Sequence, residues 1–138
     1  MSKEVLIVED EYITALDLKL ELESLGYTIT DTVATGQDAI DTAAEKRPDV
    51  VIMDINLKGE MNGIEAAEKI SELAIPIIYL TANTDDFTFK KSNVKGSYGF
   101  IDKPYNLAKL DSVIKLTIQR SKIEFEKINN VQGFVDDN

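Results

Sequence analysis

Val50-Val51-Ile52-Met53-Asp54 is a run of four large apolar residues closed by one carboxylate. Its length suits a strand. Its lack of polar alternation suits a strand buried on both faces, as in a parallel sheet covered by helices. Four other runs share this character: Val5-Leu6-Ile7-Val8, residues 29–33, Ile77-Ile78-Tyr79-Leu80 and residues 98–101. Helical spacing fills the gaps between them. The first helix is expected over residues 12–25, where Ile13, Leu16, Leu20 and Ala15, Leu18, Leu22, Leu25 recur every three or four positions before Gly26. The second covers residues 36–46, with Ala39, Ile40, Ala43 and Ala44 inward and Pro48 beyond. The third starts at Asn62 or Gly63 and carries Ile64, Ala67 and Ile70. A further helix is expected over residues 85–91, bounded by Gly96, and the last starts near Asn106.

Five strands alternating with five helices define an α/β fold, a doubly wound five-stranded parallel sheet covered on both faces. In such sheets, ligands bind beyond the carboxyl ends of the strands. The last helix is extended. Its apolar positions Leu107, Leu110, Ile114, Ile118, Phe125 and Ile128 continue past the needs of one core, so residues 1–121 read as the domain and 122–138 as a helical extension with a frayed tail from Val131.

Composition narrows the chemistry. The 138 residues suit one core, and the absence of both cysteine and histidine removes disulfides, thiol chemistry, His- or Cys-ligated metals and a phosphohistidine of the chain's own. The net charge of −10 argues against nucleic acid and anionic lipid as direct partners and favours a cation or a basic protein face. The apolar run near the N-terminus is too short for a signal segment or a membrane span, and a cytoplasmic location is expected.

The strand ends carry the functional residues. Glu9-Asp10-Glu11 follow the first strand, Asp54 closes the third, Thr81 closes the fourth, and Lys103-Pro104 follow the fifth. Carboxylates at close range repel, and a hard divalent cation with oxygen ligands relieves the repulsion. Mg²⁺ is expected, with Mn²⁺ as a substitute. A strand-end carboxylate flanked by apolar residues is a nucleophile candidate for forming an acyl phosphate, with Lys103 and Thr81 meeting the phosphoryl oxygens. Each residue alone has a plainer reading. The acids could cap the first helix, Thr81 could be an N-cap, Lys103 a surface lysine and Phe100 a core aromatic.

Over about residues 3–120 the chain resembles response-regulator receiver domains of the CheY-like superfamily. The resemblance rests on Glu9-Asp10, Val50-Val51-Ile52-Met53-Asp54, Gly63-Ile64-Glu65, Leu80-Thr81-Ala82 and Lys103-Pro104, in that order. It implies a flavodoxin-like (βα)5 fold with strand order 2-1-3-4-5. It also implies Asp54 as phospho-acceptor, and Glu9, Asp10, Asp54 and the Asn56 backbone carbonyl around Mg²⁺. Thr81 and Lys103 match the phosphoryl-binding pair, and Thr81 with Phe100 the switch. Three features depart from the pattern. Glu9 stands where Asp is commoner, the loop after Asp54 lacks the usual proline and is one residue longer, and Asn83 sits where phosphoryl lifetime is set.

The function implied is that of a two-component phosphorelay receiver rather than an enzyme acting on a separate substrate. A histidine kinase or histidine phosphotransfer protein would supply the phosphoryl group, and the face built from the 85–91 helix, the fifth strand and the last helix would switch. The last helix is also a candidate homodimer contact. Two alternatives stand beside this. A Mg²⁺-dependent phosphohydrolase with an aspartyl-phosphate intermediate would want a second acid two residues after the nucleophile, where this chain has Asn56. A pseudo-receiver interaction module would not need the acidic cluster.

Overall fold

The computed structural model describes residues 2–81 and 98–136, with residues 128–136 as helical backbone alone. The helix expected over residues 85–91 and the position of Asn83 lie outside the described residues. The elements, in chain order, are β1 (Glu4–Val8), α1 (Tyr12–Ser24), β2 (Thr28–Val33), α2 (Gly36–Lys46), β3 (Val50–Asp54), α3 (Gly63–Ser71), β4 (Ile77–Thr81), β5 (Tyr98–Asp102) and α4 (Leu107–Asp136). The strands form one all-parallel sheet in the order β2-β1-β3-β4-β5, as the resemblance implied.

The apolar runs become strands because helices cover the sheet on both sides. Successive strand residues point to opposite faces. Leu6, Val8, Val51, Met53, Ile77 and Tyr79 therefore pack with Ala39 and Ala43 of α2 and with Ile64, Ala67 and Ile70 of α3. Their neighbours Val5, Ile7, Val50, Ile52, Ile78 and Leu80 face Ala15, Leu18 and Leu22 of α1 and Leu110, Ile114 and Ile118 of α4. At about 25 cal/mol per Å² of apolar surface removed from water, these two layers supply most of the folding drive.

Local signals fix the helix starts. The Thr35 hydroxyl accepts from the Asp38 amide at 3.1 Å. Asn62 and Glu65 form a reciprocal capping box at the head of α3. The Asn106 side chain accepts from the Lys109 amide at 2.8 Å at the head of α4.

Spacing left two apolar sets open on α1, and other helix positions differ from the sequence reading. On α1 the inward residues are Ala15, Leu18 and Leu22. The companion set is turned outward, with Ile13 80%, Leu16 40% and Leu20 57% exposed and Tyr12 beside them at 79%. The helix is apolar on two sides, and only one side can meet the sheet. Ala44 is likewise exposed, because Ala39 and Ala43 already fill the narrow seam beneath α2. Leu107, at the first turn of α4, is 39% exposed rather than core. The backbone of α4 continues to Asp136, beyond Val131.

The outer edge of the sheet is irregular. Val5 pairs with Ile29 but Leu6 pairs with Asp31, so Thr30 is passed over as a bulge in β2. Asp31 then meets Lys46 of α2 at 3.6 Å. Among the described residues, no helix is long and apolar enough to cross a membrane.

Candidate functional site

Parallel strands share one carboxyl edge, so the four sequence-predicted positions arrive together. β1 is bonded to β3, β3 to β4 and β4 to β5. Glu9 and Asp10 leave β1, Asp54 ends β3, Thr81 ends β4, and Lys103 follows β5. Glu9, Asp10 and Asp54 each offer a carboxylate oxygen, and the three oxygens lie within 4.8 Å of one another. Lys103 Nζ stands 3.8 Å from Asp54 Oδ2. The Lys103 amide donates to the Thr81 carbonyl at 2.7 Å, which ties the lysine strand to the threonine strand at the site. The Asp54 side chain keeps 13% of its surface open, and that of Lys103 28%, so the pair is sheltered yet reachable. Two clefts of about 420 and 430 Å³ beside α4 contain none of these residues.

The acids are more than a helix cap. Glu11 is the N-cap of α1, yet its side chain makes no capping hydrogen bond. Glu9 is 4% exposed, and its Oε2 is buried without a hydrogen-bond partner among the described residues. Burial pushes the Glu9 carboxyl up to about 8, helped by a hydrogen bond to Asp54 and by the Asp54 charge, and opposed by Lys103. The shift favours the protonated form of Glu9, which lessens the repulsion among the three acids. An orphaned buried carboxylate oxygen beside two more acids is a donor set for a hard cation of the Mg²⁺ or Mn²⁺ kind.

The loop after β3 contributes features that side-chain patterns did not reveal. The Asn56 amide donates to Asp54 Oδ1 at 2.9 Å, and the Lys58 amide donates to Asp10 Oδ2 at 3.1 Å. Asn56 itself sits exposed in the turn directly after Asp54. Gly63 opens α3 so close to β3 that a Cβ there would run into the Asp54 carbonyl oxygen. Its amide donates to the Ile55 carbonyl at 3.2 Å. Only glycine permits that approach. Phe100 is half-buried on β5 opposite Tyr79 and packs on the α2–α3 layer.

A five-stranded 2-1-3-4-5 sheet with three acids, a threonine and a lysine at its carboxyl edge is the architecture of a signalling receiver. Residues 5–115 match the response regulator receiver domain, and the chain belongs to that family. It is 33% identical over 134 residues to the transcriptional regulatory protein PdtaR of Mycobacterium tuberculosis, covering 96% of this chain and 63% of PdtaR. It is 35% identical over 118 residues to the response regulator ArlR of Staphylococcus aureus, covering 85% of this chain and 53% of ArlR. The chain thus spans a little over half the length of these relatives. Among solved structures, the receiver domain of a modulated diguanylate cyclase from Desulfovibrio desulfuricans G20 matches with a TM-score of 0.82, 33% identity, and 90% and 99% coverage of this chain and that one. The receiver domain of the sensor histidine kinase PA1611 of Pseudomonas aeruginosa PAO1, solved with a magnesium ion coordinated in its active-site cleft, matches with a TM-score of 0.76, 29% identity, and 86% and 99% coverage.

The raised Glu9 carboxyl sets a pH signature for the metal-free protein. Between the ordinary carboxylate value of 4.5 and about 8, the folded state binds this proton and the unfolded state does not. Glu9's contribution is therefore fully present below that ordinary value and is lost as pH rises through about 8. In the presence of a chelator, the melting temperature of wild type relative to Glu9→Gln should fall across that window. A difference that stays flat with pH would show that Glu9 titrates normally.

Proposed function

We propose that this chain is a two-component phosphorelay receiver that takes a phosphoryl group from a phosphohistidine onto Asp54 in a Mg²⁺-dependent reaction. The convergence of Glu9, Asp10, Asp54 and Lys103 from separate strand ends carries this reading. Glu9, Asp10, Asp54 and the Asn56 carbonyl would hold Mg²⁺ or Mn²⁺. The bound ion would neutralise charge on the acids and the phosphoryl oxygens.

Asp54 Oδ1 is held by the Asn56 amide, which leaves Oδ2, on the Lys103 side, to attack phosphorus. The new O–P bond forms as the donor's N–P bond breaks, and the imidazole nitrogen keeps the electron pair. Lys103 meets the charge of the transferred group, and the Thr81 hydroxyl donates to one of its oxygens. Withdrawal of Thr81 toward that oxygen and inward rotation of Phe100 shift a face that includes β5 and α4 between two states. The chain then catalyses only its own phosphorylation and dephosphorylation, as a cytoplasmic signalling module. Residues 1–121 form the switch, and the last helix extends it to Asp136.

The outward stripe of α1 supports a protein donor. Tyr12 and Ile13 lie just beyond Glu9 and Asp10, and Leu16 and Leu20 continue the stripe down the helix. A donor that presents its imidazole to Asp54 can cover this stripe at the same time. The extension of α4 supports self-association with a second copy. Phe125 is 56% exposed seven residues after Ile118, the repeat of a coiled-coil seam, and Leu116 and Ile123 are exposed on the opposite side of the helix.

Intact mass after incubation with Mg²⁺ and acetyl phosphate should show one added phosphoryl group on wild type and none on Asp54→Asn. No gain on wild type, or an equal gain on the variant, sinks the phospho-acceptor reading. Ile13→Glu should slow transfer from a phosphorylated histidine kinase or phosphotransfer protein about tenfold or more, a loss of ~1.4 kcal/mol in donor binding. It should leave labelling by acetyl phosphate unchanged, and equal slowing of both routes would remove α1 as the donor surface. Light scattering should show a dimer for wild type and a shift towards monomer for Phe125→Ser. A wild-type monomer indifferent to the change would exclude that contact.

A further inference from the structure

The β3–α3 loop presents two amides to two acids of the cluster. Asn56 N donates to Asp54 Oδ1 at 2.9 Å, and two residues on, Lys58 N donates to Asp10 Oδ2 at 3.1 Å. The first bond is local. The second joins segments 48 residues apart in the chain and spans the gap between the β1 and β3 ends. Asp10 is half-buried on the bend between β1 and α1, and the Lys58 amide reaches its carboxylate from another segment. The Lys58 side chain is exposed, and the pair involves only its backbone. Gly59 follows with φ +108°, a left-handed turn that redirects the chain immediately after this amide.

We propose that the Lys58 backbone N–H is a positioning group for Asp10. It anchors Oδ2 and so fixes the orientation of a carboxylate that lies with Glu9 and Asp54 as a preformed cation ligand. The inference rests on the Mg²⁺ site proposed above and adds a device that the sequence makes possible: position 58 is not proline, so a donor exists there. The amide also places a positive dipole end beside a carboxylate that is repelled by its neighbours. Outer hydrogen bonds of this kind set ligand orientation and typically change metal affinity tenfold to a hundredfold.

Two substitutions separate the amide from the side chain. Lys58→Ala keeps the N–H, and its Mg²⁺ dissociation constant by calorimetry should stay within about twofold of wild type. Lys58→Pro removes the N–H, and its dissociation constant should rise about tenfold. Equal Mg²⁺ affinity in the two folded variants overturns the proposal. Should Lys58→Pro fail to fold, amide hydrogen exchange decides the matter on the full chain. The Lys58 amide should exchange at least several-fold faster in metal-free Asp10→Ala than in metal-free wild type, and identical rates overturn the proposal. Absence of Mg²⁺ binding by wild type would overturn the phospho-acceptor reading instead, while the exchange measurement would still report on the Asp10–Lys58 bond.

Discussion

Mutual repulsion of three carboxylates at one sheet edge is the constraint to which the rest of the site answers. Parallel strands deliver their carboxyl ends side by side, so acids at the ends of β1 and β3 cannot avoid one another. The protein meets the repulsion with four local devices. Lys103 stands beside Asp54, burial favours the protonated form of Glu9, and the loop amides of Asn56 and Lys58 each donate to a different acid. These devices are partial. They stabilise a metal-free state without using every carboxylate oxygen, as the orphaned Glu9 Oε2 shows. The charge that remains is what the proposed cation would meet.

The rigid part of this arrangement comes from packing. The carboxyl end of β3 is pressed against the first residue of α3, with Gly63 beneath the Asp54 carbonyl. The capping box of Asn62 and Glu65 fixes where that helix begins. Asp54 is therefore located by a helix start as well as by its strand. By contrast, Asp10 lies on the bend after β1, and its carboxylate accepts from an amide of a neighbouring loop. The site joins a fixed half to a tethered half.

Strand positions and the composition of the acid cluster were legible because fully buried strands leave continuous apolar runs, and because the chemistry sits at their ends. Helix phase was less legible. Alternate spacing on α1 assigns both Leu18 and Leu16 to apolar stripes, but spacing alone cannot choose which stripe meets the sheet when both are apolar. Ala44 and Leu107 fail for a related reason. Alanine carries little burial signal, and a first-turn leucine sits at the margin of the layer. The Lys58 amide and the close approach of Gly63 were hidden because backbone groups leave no side-chain pattern to read.

The bulge at Thr30 has a consequence for how copies of this protein meet in concentrated solution. A flat, regular outer strand offers unpaired amides and carbonyls as a template on which another chain can add. Here β2 breaks register within its length, carries threonines and Asp31 instead of an apolar face, and has that acid tied to Lys46. The flank of the sheet is thereby a poor seed for cross-β growth, a safeguard built from one extra residue and independent of the electrostatic repulsion between acidic molecules.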